Sequence, residues 1–323
     1  MTGTGILLTT LGGITLLLWG CRMVRTGVTR AYGADLQQMI ARWSDNRAKA
    51  LGVGVAVGTA LQSSTATALL LTGFVGQEAI TVATALAILL GADFGAALAA
   101  AMFSSGISQI WPIVGFVGYL VHANFDGRSI VLKNFGRILI GLGLLLFGLQ
   151  TIGGSAASLA QSTIVAGAVQ AIAQEPLLAI LIGAAITWLA HSSLAIVLLL
   201  IALATGGSIS PEALYPVLLG VNVGAALPAI SATMTETATV RRVPLGNLIF
   251  RLAGAIAALP LLPLIADTLT ALEIAPAARI IVLHLAFNAA LCMCFILLIQ
   301  PVADIARRIL PEHAHNASPF GPK

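Results

Sequence analysis

The stretch Leu61–Leu71, LQSSTATALLL, sets an amide and three hydroxyls side by side in almost pure hydrocarbon, and Leu189–Leu200, LAHSSLAIVLLL, repeats the oddity. Polar side chains are costly in such surroundings unless they have partners or a task. A shift of 129 residues superimposes the two: Ser63-Ser64 falls on Ser192-Ser193, GADFGAAL (Gly91–Leu98) on GVNVGAAL (Gly220–Leu227), Gly54 on Gly183, and Ala66 on Ala195. A register that holds across more than 40 positions points to an internal duplication.

The chain around these stretches is 58% hydrophobic and 9% charged, against about 25% charged in ordinary soluble domains. Apolar runs long enough to cross a hydrocarbon core recur throughout, so the sequence predicts an all-α polytopic membrane protein. The run Ile6 to Trp19 has no basic residue before it and no small-residue cleavage site after it, and reads as a first span rather than a secretory signal. The net charge of +4 is better explained by topology than by nucleic acid, because Lys and Arg sit between apolar segments. Cys21, Cys292 and Cys294 lack the spacing of a disulfide framework or a zinc site and read as packing residues.

Seven spans are expected: Gly5 to Cys21, Ala79 to Phe103, Ile107 to His122, Phe135 to Ile152, Pro211 to Ala232, Leu245 to Ile265 and Ile280 to Gln300. The arms on either side of each polar turn are too short to cross, at about 12 residues or roughly 18 Å of helix. Each pair is therefore expected to form a re-entrant helical hairpin, with its irregular backbone sheltered by protein or a wet cavity. Six basic residues follow the first span (Arg22, Arg25, Arg30, Arg42, Arg47, Lys49), whereas the equivalent segment Gly153 to Glu175 has none. By the positive-inside rule the two segments lie on opposite sides. Arg128, Lys133 and Arg137, then Arg241 and Arg242, then Arg307 and Arg308 fall on the side of the first group. The amino terminus is then outside and the carboxyl tail cytoplasmic, and three spans plus a hairpin per copy make the repeats inverted, as in many secondary transporters. The expected organisation is repeat 1 at 1–122, a cytoplasmic linker at 123–134, inverted repeat 2 at 135–266, a further span within 267–300 and a cytoplasmic tail at 301–323.

The polar turns offer hydroxyls, N–H groups at a half-helix start, which attract anions, and carbonyls at a half-helix end, which attract cations. No Lys or Arg is expected near either turn, so a divalent anion held there would need its charge compensated by bound cations and helix dipoles. The plainer role for such hydroxyls is a bond to the i−4 carbonyl or to a neighbouring helix. Duplication in matched register, in segments too short to span, favours a site.

These residues resemble the bacterial branch of the sodium-dependent phosphate (type II Na/Pi) cotransporters, whose two inverted repeats each carry a QSSS-type motif followed by a GxNxGTT-like segment. Here the motifs stand as QSST with GADFGAA and HSSL with GVNVGAA. LLLWGCRMVRTGV and IGLGLLLFGLQTI look like the Gly-rich lead-in to each repeat, HLAFNAAL resembles a late FN motif, and the similarity covers about residues 5 to 300. The resemblance implies sodium-coupled symport of inorganic phosphate by alternating access in a bacterial inner membrane, with no cofactor beyond the coupling ions. It places Gln62, Ser63, Ser64, Thr65, His191, Ser192 and Ser193 at the phosphate, and Asp93, Asn222, Gln62 and Ser64 at the cation. His191 stands for the second Gln, Leu194 for a hydroxyl, Asp93 for an Asn, and Ala pairs for both Thr pairs. Asp93 is accordingly expected to give a carboxylate oxygen to sodium, and His191 to make transport pH-sensitive. A homodimer is expected, and the ending ASPFGPK suggests a chain cut before a regulatory domain.

An enzyme is not expected, because HSS has no carboxylate in evident reach and no nucleophile elbow surrounds it. Two rivals stay open: a transporter of another small anion, and a non-transporting scaffold or sensor for a cytoplasmic domain.

Overall fold

The computed structural model describes residues 3–43, 46–104, 107–160, 167, 174–205 and 209–312. Most of the segment Gly153 to Glu175, and the ending ASPFGPK, lie outside the described residues. Among the described residues every regular element is helical. Helices α1 (Gly3–Arg42), α2 (Arg47–Leu61), α3 (Ser64–Gly76), α4 (Val82–Ser104), α5 (Trp111–Asn124) and α6 (Ile130–Ala160) come first. They are followed by α7 (Pro176–Ala190), α8 (Ser193–Thr205), α9 (Pro211–Gly224), α10 (Leu227–Ala232), α11 (Ala238–Ala258), α12 (Leu262–Ala271), α13 (Pro276–Phe295) and α14 (Ile299–Ile309).

Among the described residues six helical stretches are long and apolar enough to cross a membrane, against the seven expected. The missing one is Ile107 to His122, where a 3-10 turn gives way to a helix of 14 residues that starts with Pro112 in its first turn. Proline has no N–H to continue a helix from upstream, which fixes the break there. The first span is longer than expected. α1 continues for 40 residues, with Arg22, Arg25, Arg30 and Arg42 on the helix rather than in a loop. No proline interrupts it, and arginine is a good helix former. Of the other basic residues placed between spans, only Arg128 lies outside a helix, and the expected linker shrinks to residues 125–129. Arg242 is buried near the start of α11, where its Nη1 meets Glu312 Oε1 at 3.0 Å and its Nε donates to the Leu310 carbonyl at 3.0 Å. Of the three cysteines read as packing residues, Cys21 and Cys292 are buried, but Cys294 is exposed.

The arms around the polar turns have 15 and 13 residues at each turn, about 20–23 Å where a hydrocarbon core needs about 30 Å. Glycines fix how they pack. A methyl group on Gly54 would strike the Ile88 carbonyl, and one on Gly91 the Leu51 carbonyl, so the α2 and α4 backbones touch. Around the second turn a methyl on Gly183 would strike the Val217 carbonyl, and one on Gly220 the Ile180 carbonyl. Each contact recurs at the shift of 129. Partners advance together along both helices, so α2 runs parallel to α4, and α7 to α9. The chain must therefore turn back through α3 and through α8. The pairing of α1 with α6 has the opposite sense: Gly13, Gly20 and Gly27 meet Gly148, Gly141 and Asn134 in turn, an antiparallel contact.

The outer face is apolar. Ile113, Phe116 and Tyr119 on α5, Leu177, Leu181 and Leu189 on α7, and Ile256, Leu264 and Met293 towards the carboxyl end are all exposed. Water does not tolerate so much apolar surface on one fold, whereas lipid does.

Candidate functional site

The two turns have the same backbone. Gln62 ends α2 at φ 53°, ψ 28°, and His191 ends α7 at φ 51°, ψ 27°. Both lie in the left-handed region that side-chain-bearing residues seldom adopt, and such strain concentrates at functional positions. The next residue caps the returning arm: Ser63 Oγ accepts from the Ala66 N–H at 3.2 Å, and Ser192 Oγ from the Ala195 N–H at 3.3 Å. A hydroxyl that accepts in this way keeps its own hydrogen to donate, so both serines remain able to bind an oxyanion.

Around the first turn lies a buried charged cluster. The Arg251 guanidinium, from α11, donates to Ser64 Oγ at 3.0 Å, to an Asp93 carboxylate oxygen and to the Asn222 carbonyl. With the Asn247 amide turned to satisfy its neighbours, its nitrogen donates to the other Asp93 oxygen at 2.9 Å and its oxygen accepts from Arg251 Nε at 3.3 Å. The side chains of Arg251 and Asp93 are 3% and 1% exposed. A buried ion pair survives only when its remaining donors and acceptors are met, and here both carboxylate oxygens and all but one of the guanidinium hydrogens find partners among the described residues. The network continues outward: Asn288 donates to Asn222 Oδ1 at 3.1 Å, and the Asn222 amide lies 3.3 Å from His284 Nδ1. Thr65 Oγ1 ties the turn to the Ala225 carbonyl at 3.1 Å. Gln62 Oε1 is buried with no hydrogen-bond partner among the described residues.

The second turn faces differently. His191 is exposed, and with Ser192 it lines an open cavity of about 610 Å³ that Thr15, Arg22 and Arg25 of α1 share. Ser193, the equivalent of Ser64, is half-buried.

Of the residues expected to bind ligands, the structure thus gathers Ser64, Asp93 and Asn222 at one guanidinium, with Thr65 at the edge. His191 and Ser192 are placed with Arg22 and Arg25, and no hydrogen bond joins the two groups among the described residues. The expectation that no Lys or Arg lies near either turn is overturned at both. Arg251 is 187 residues from Ser64 along the chain yet bonded to it in space. A lone charge inside an apolar span was the signal that could have found it. Asn247, His284 and Asn288 also belong to the cluster and were assigned no role from sequence.

A helical protein with a lipid-compatible exterior and a charged, hydrogen-bonded interior beside broken helices has the makings of a membrane transporter. The chain belongs to the Na+/Pi-cotransporter family, whose model matches residues 16–154 and 155–262, a family of transporters and not of enzymes. It is 34% identical over 318 residues to an Escherichia coli K12 protein named "Putative inorganic phosphate export protein YjbB", an alignment covering 98% of this chain and 58% of that one. The Salmonella typhimurium protein of the same name is 33% identical over the same span. A Bacillus subtilis protein, "Uncharacterized protein YqeW", is 23% identical over 298 residues, covering 92% of this chain and 94% of that one. The chain spans 58% of the length of the YjbB proteins. No solved structure matches.

Proposed function

We propose that this chain moves inorganic phosphate across a bacterial inner membrane by alternating access between two inverted halves. The observation that carries this is the cavity at the second turn, where Arg22 and Arg25 converge with the hydroxyl of Ser192 and the ring of His191. Guanidinium groups with nearby hydroxyl donors suit a tetrahedral dianion. Family membership narrows the anion to phosphate, and the likeness to proteins named for phosphate export favours efflux. Two features support the inverted arrangement: glycine contacts that recur at one shift, and the antiparallel meeting of α1 and α6, the lead-in helices of the two copies. The arms of each copy, too short to cross, are re-entrant hairpins on this reading, with the amino terminus outside and the carboxyl tail cytoplasmic. Sodium is the coupling ion that the resemblance adds, although three of the four residues expected to hold it are bonded to Arg251.

The test is flux of labelled phosphate from proteoliposomes, with sulfate, arsenate and small carboxylates as competitors. Exchange of phosphate that the competitors leave intact is expected. Absence of flux would favour the scaffold alternative, and stronger transport of a competitor would change the anion. Cysteines placed at Ser158 and Thr237 should label from opposite faces, outside and cytoplasmic, and labelling from one face would remove the inverted arrangement.

A further inference from the structure

Asp93 and Asn222 are equivalent positions in the two copies, and they meet at one point. Asp93 arrives by its carboxylate and Asn222 by its backbone carbonyl, while the first turn adds the Ser64 hydroxyl. A carboxylate, a carbonyl and a hydroxyl converging from three helices are the hard oxygen donors that alkali and alkaline-earth cations take. Here that set surrounds a guanidinium. Resting on the phosphate reading, we propose that Arg251 stands in for a coupling cation: it fills the oxygen site between the two copies, lends its charge to phosphate at the Ser63–Ser64 turn, and makes transport independent of sodium.

Charge supports this. The pair is sealed from solvent, and a second cation placed among the same oxygens would face the guanidinium with little water to screen it. Donor count supports it as well. Nε serves Asn247, Nη1 the Asn222 carbonyl, and Nη2 both Ser64 and Asp93, so four of the five donor hydrogens are held by the set and one Nη1 hydrogen is left over. A structural ion pair alone needs only its partner, whereas this one takes in the polar turn. The copies also differ in the way a substituted ion requires. At the shift of 129, Arg251 falls on His122, whose Nδ1 pairs with the Lys133 carbonyl at 2.9 Å, away from either turn. One charge therefore serves one site, not two.

The experiment is labelled phosphate flux through the purified full chain in proteoliposomes, with sodium on both sides or with N-methyl-D-glucamine in its place. The same flux in both salts is expected. A requirement for sodium overturns the inference and leaves phosphate transport standing, whereas absence of flux in every salt removes both. Arg251→Gln sharpens the test, because it empties the oxygen set while leaving Asp93 in place. Its flux should fall about tenfold in N-methyl-D-glucamine, the loss of one hydrogen bond to a charged group, and recover when sodium is added. Melting of the detergent-solubilised proteins gives a readout free of transport: sodium should raise the melting temperature of Arg251→Gln and leave that of the parent unchanged. Flux and melting that respond to sodium equally in parent and variant return Arg251 to a packing role.

Discussion

The two polar turns share a backbone and differ in company. Gln62 and His191 have left-handed torsions within 2° of each other in φ, and Ser63 and Ser192 cap the next helix in the same way. Yet the first turn closes on an internal ion pair and the second opens on a cavity. Backbone geometry at the two turns is held by close helix contacts, which glycines at positions 129 residues apart make alike. Side-chain chemistry is under no such constraint, so one site can become a sealed charge pair while its twin faces outward.

The largest expected effect breaks the likeness between Asp93 and Asn222. Asp93→Ala strands a buried guanidinium and should destabilise the fold by about 3–5 kcal/mol, whereas Asn222→Ala removes neutral hydrogen bonds and should cost about 1–3 kcal/mol. Chemical denaturation in mixed micelles measures both, and equal losses would mean that the ion pair contributes no more than an amide. Next come the capping serines. Ser63→Ala and Ser192→Ala should each weaken phosphate transport about tenfold or more, since a hydrogen bond to a charged group is worth about 1.5–3 kcal/mol. Parent-like flux in both would leave the two hydroxyls as helix caps only. The third comparison tests likeness itself. Gly54→Ala and Gly183→Ala should destabilise by similar amounts, about 1–3 kcal/mol each, because each methyl meets a carbonyl in the same packing. Melting curves that separate the two would show that the halves do not pack alike. The smallest effect is a gain. His191→Gly relieves a left-handed residue at an exposed site and should raise stability by about 0.5–1 kcal/mol. Gln62→Gly should gain less, because it also removes a partly buried side chain beside the charged cluster, and calorimetry in detergent can rank the pair.

Much of this was legible beforehand, for physical reasons. Apolar runs and a register held to the residue put the turns at Gln62–Ser63 and His191–Ser192, between arms too short to cross. Local chemistry determines such features, and sequence displays local chemistry. Contacts between distant segments were hidden. Arg251 is one charge in an otherwise apolar run, and the carboxylate that explains it lies 158 residues away. The arginines of α1 misled for the opposite reason: set after the first span because they are charged, they continue a helix that nothing interrupts. The end of the sixth expected span, at Ile265, also went unmarked, because the helical stretch passes through the 3-10 turn Leu259–Leu261 and on to Ala271 with no break at that residue.

The Asp93–Arg251 pair stays with the protein, and that has an electrical consequence. If the protein's fixed cation does the work of sodium, nothing travels with the anion to cancel its charge. A phosphate dianion that leaves an inside-negative cell then moves two charges down the membrane voltage. Each is worth about 2.3 kcal/mol per 100 mV, and about 4.6 kcal/mol for the pair corresponds to roughly a thousandfold concentration ratio at 1.4 kcal/mol per factor of ten. Resting voltage alone would expel phosphate against a steep gradient, and clamping the potential of a vesicle at zero would remove that drive.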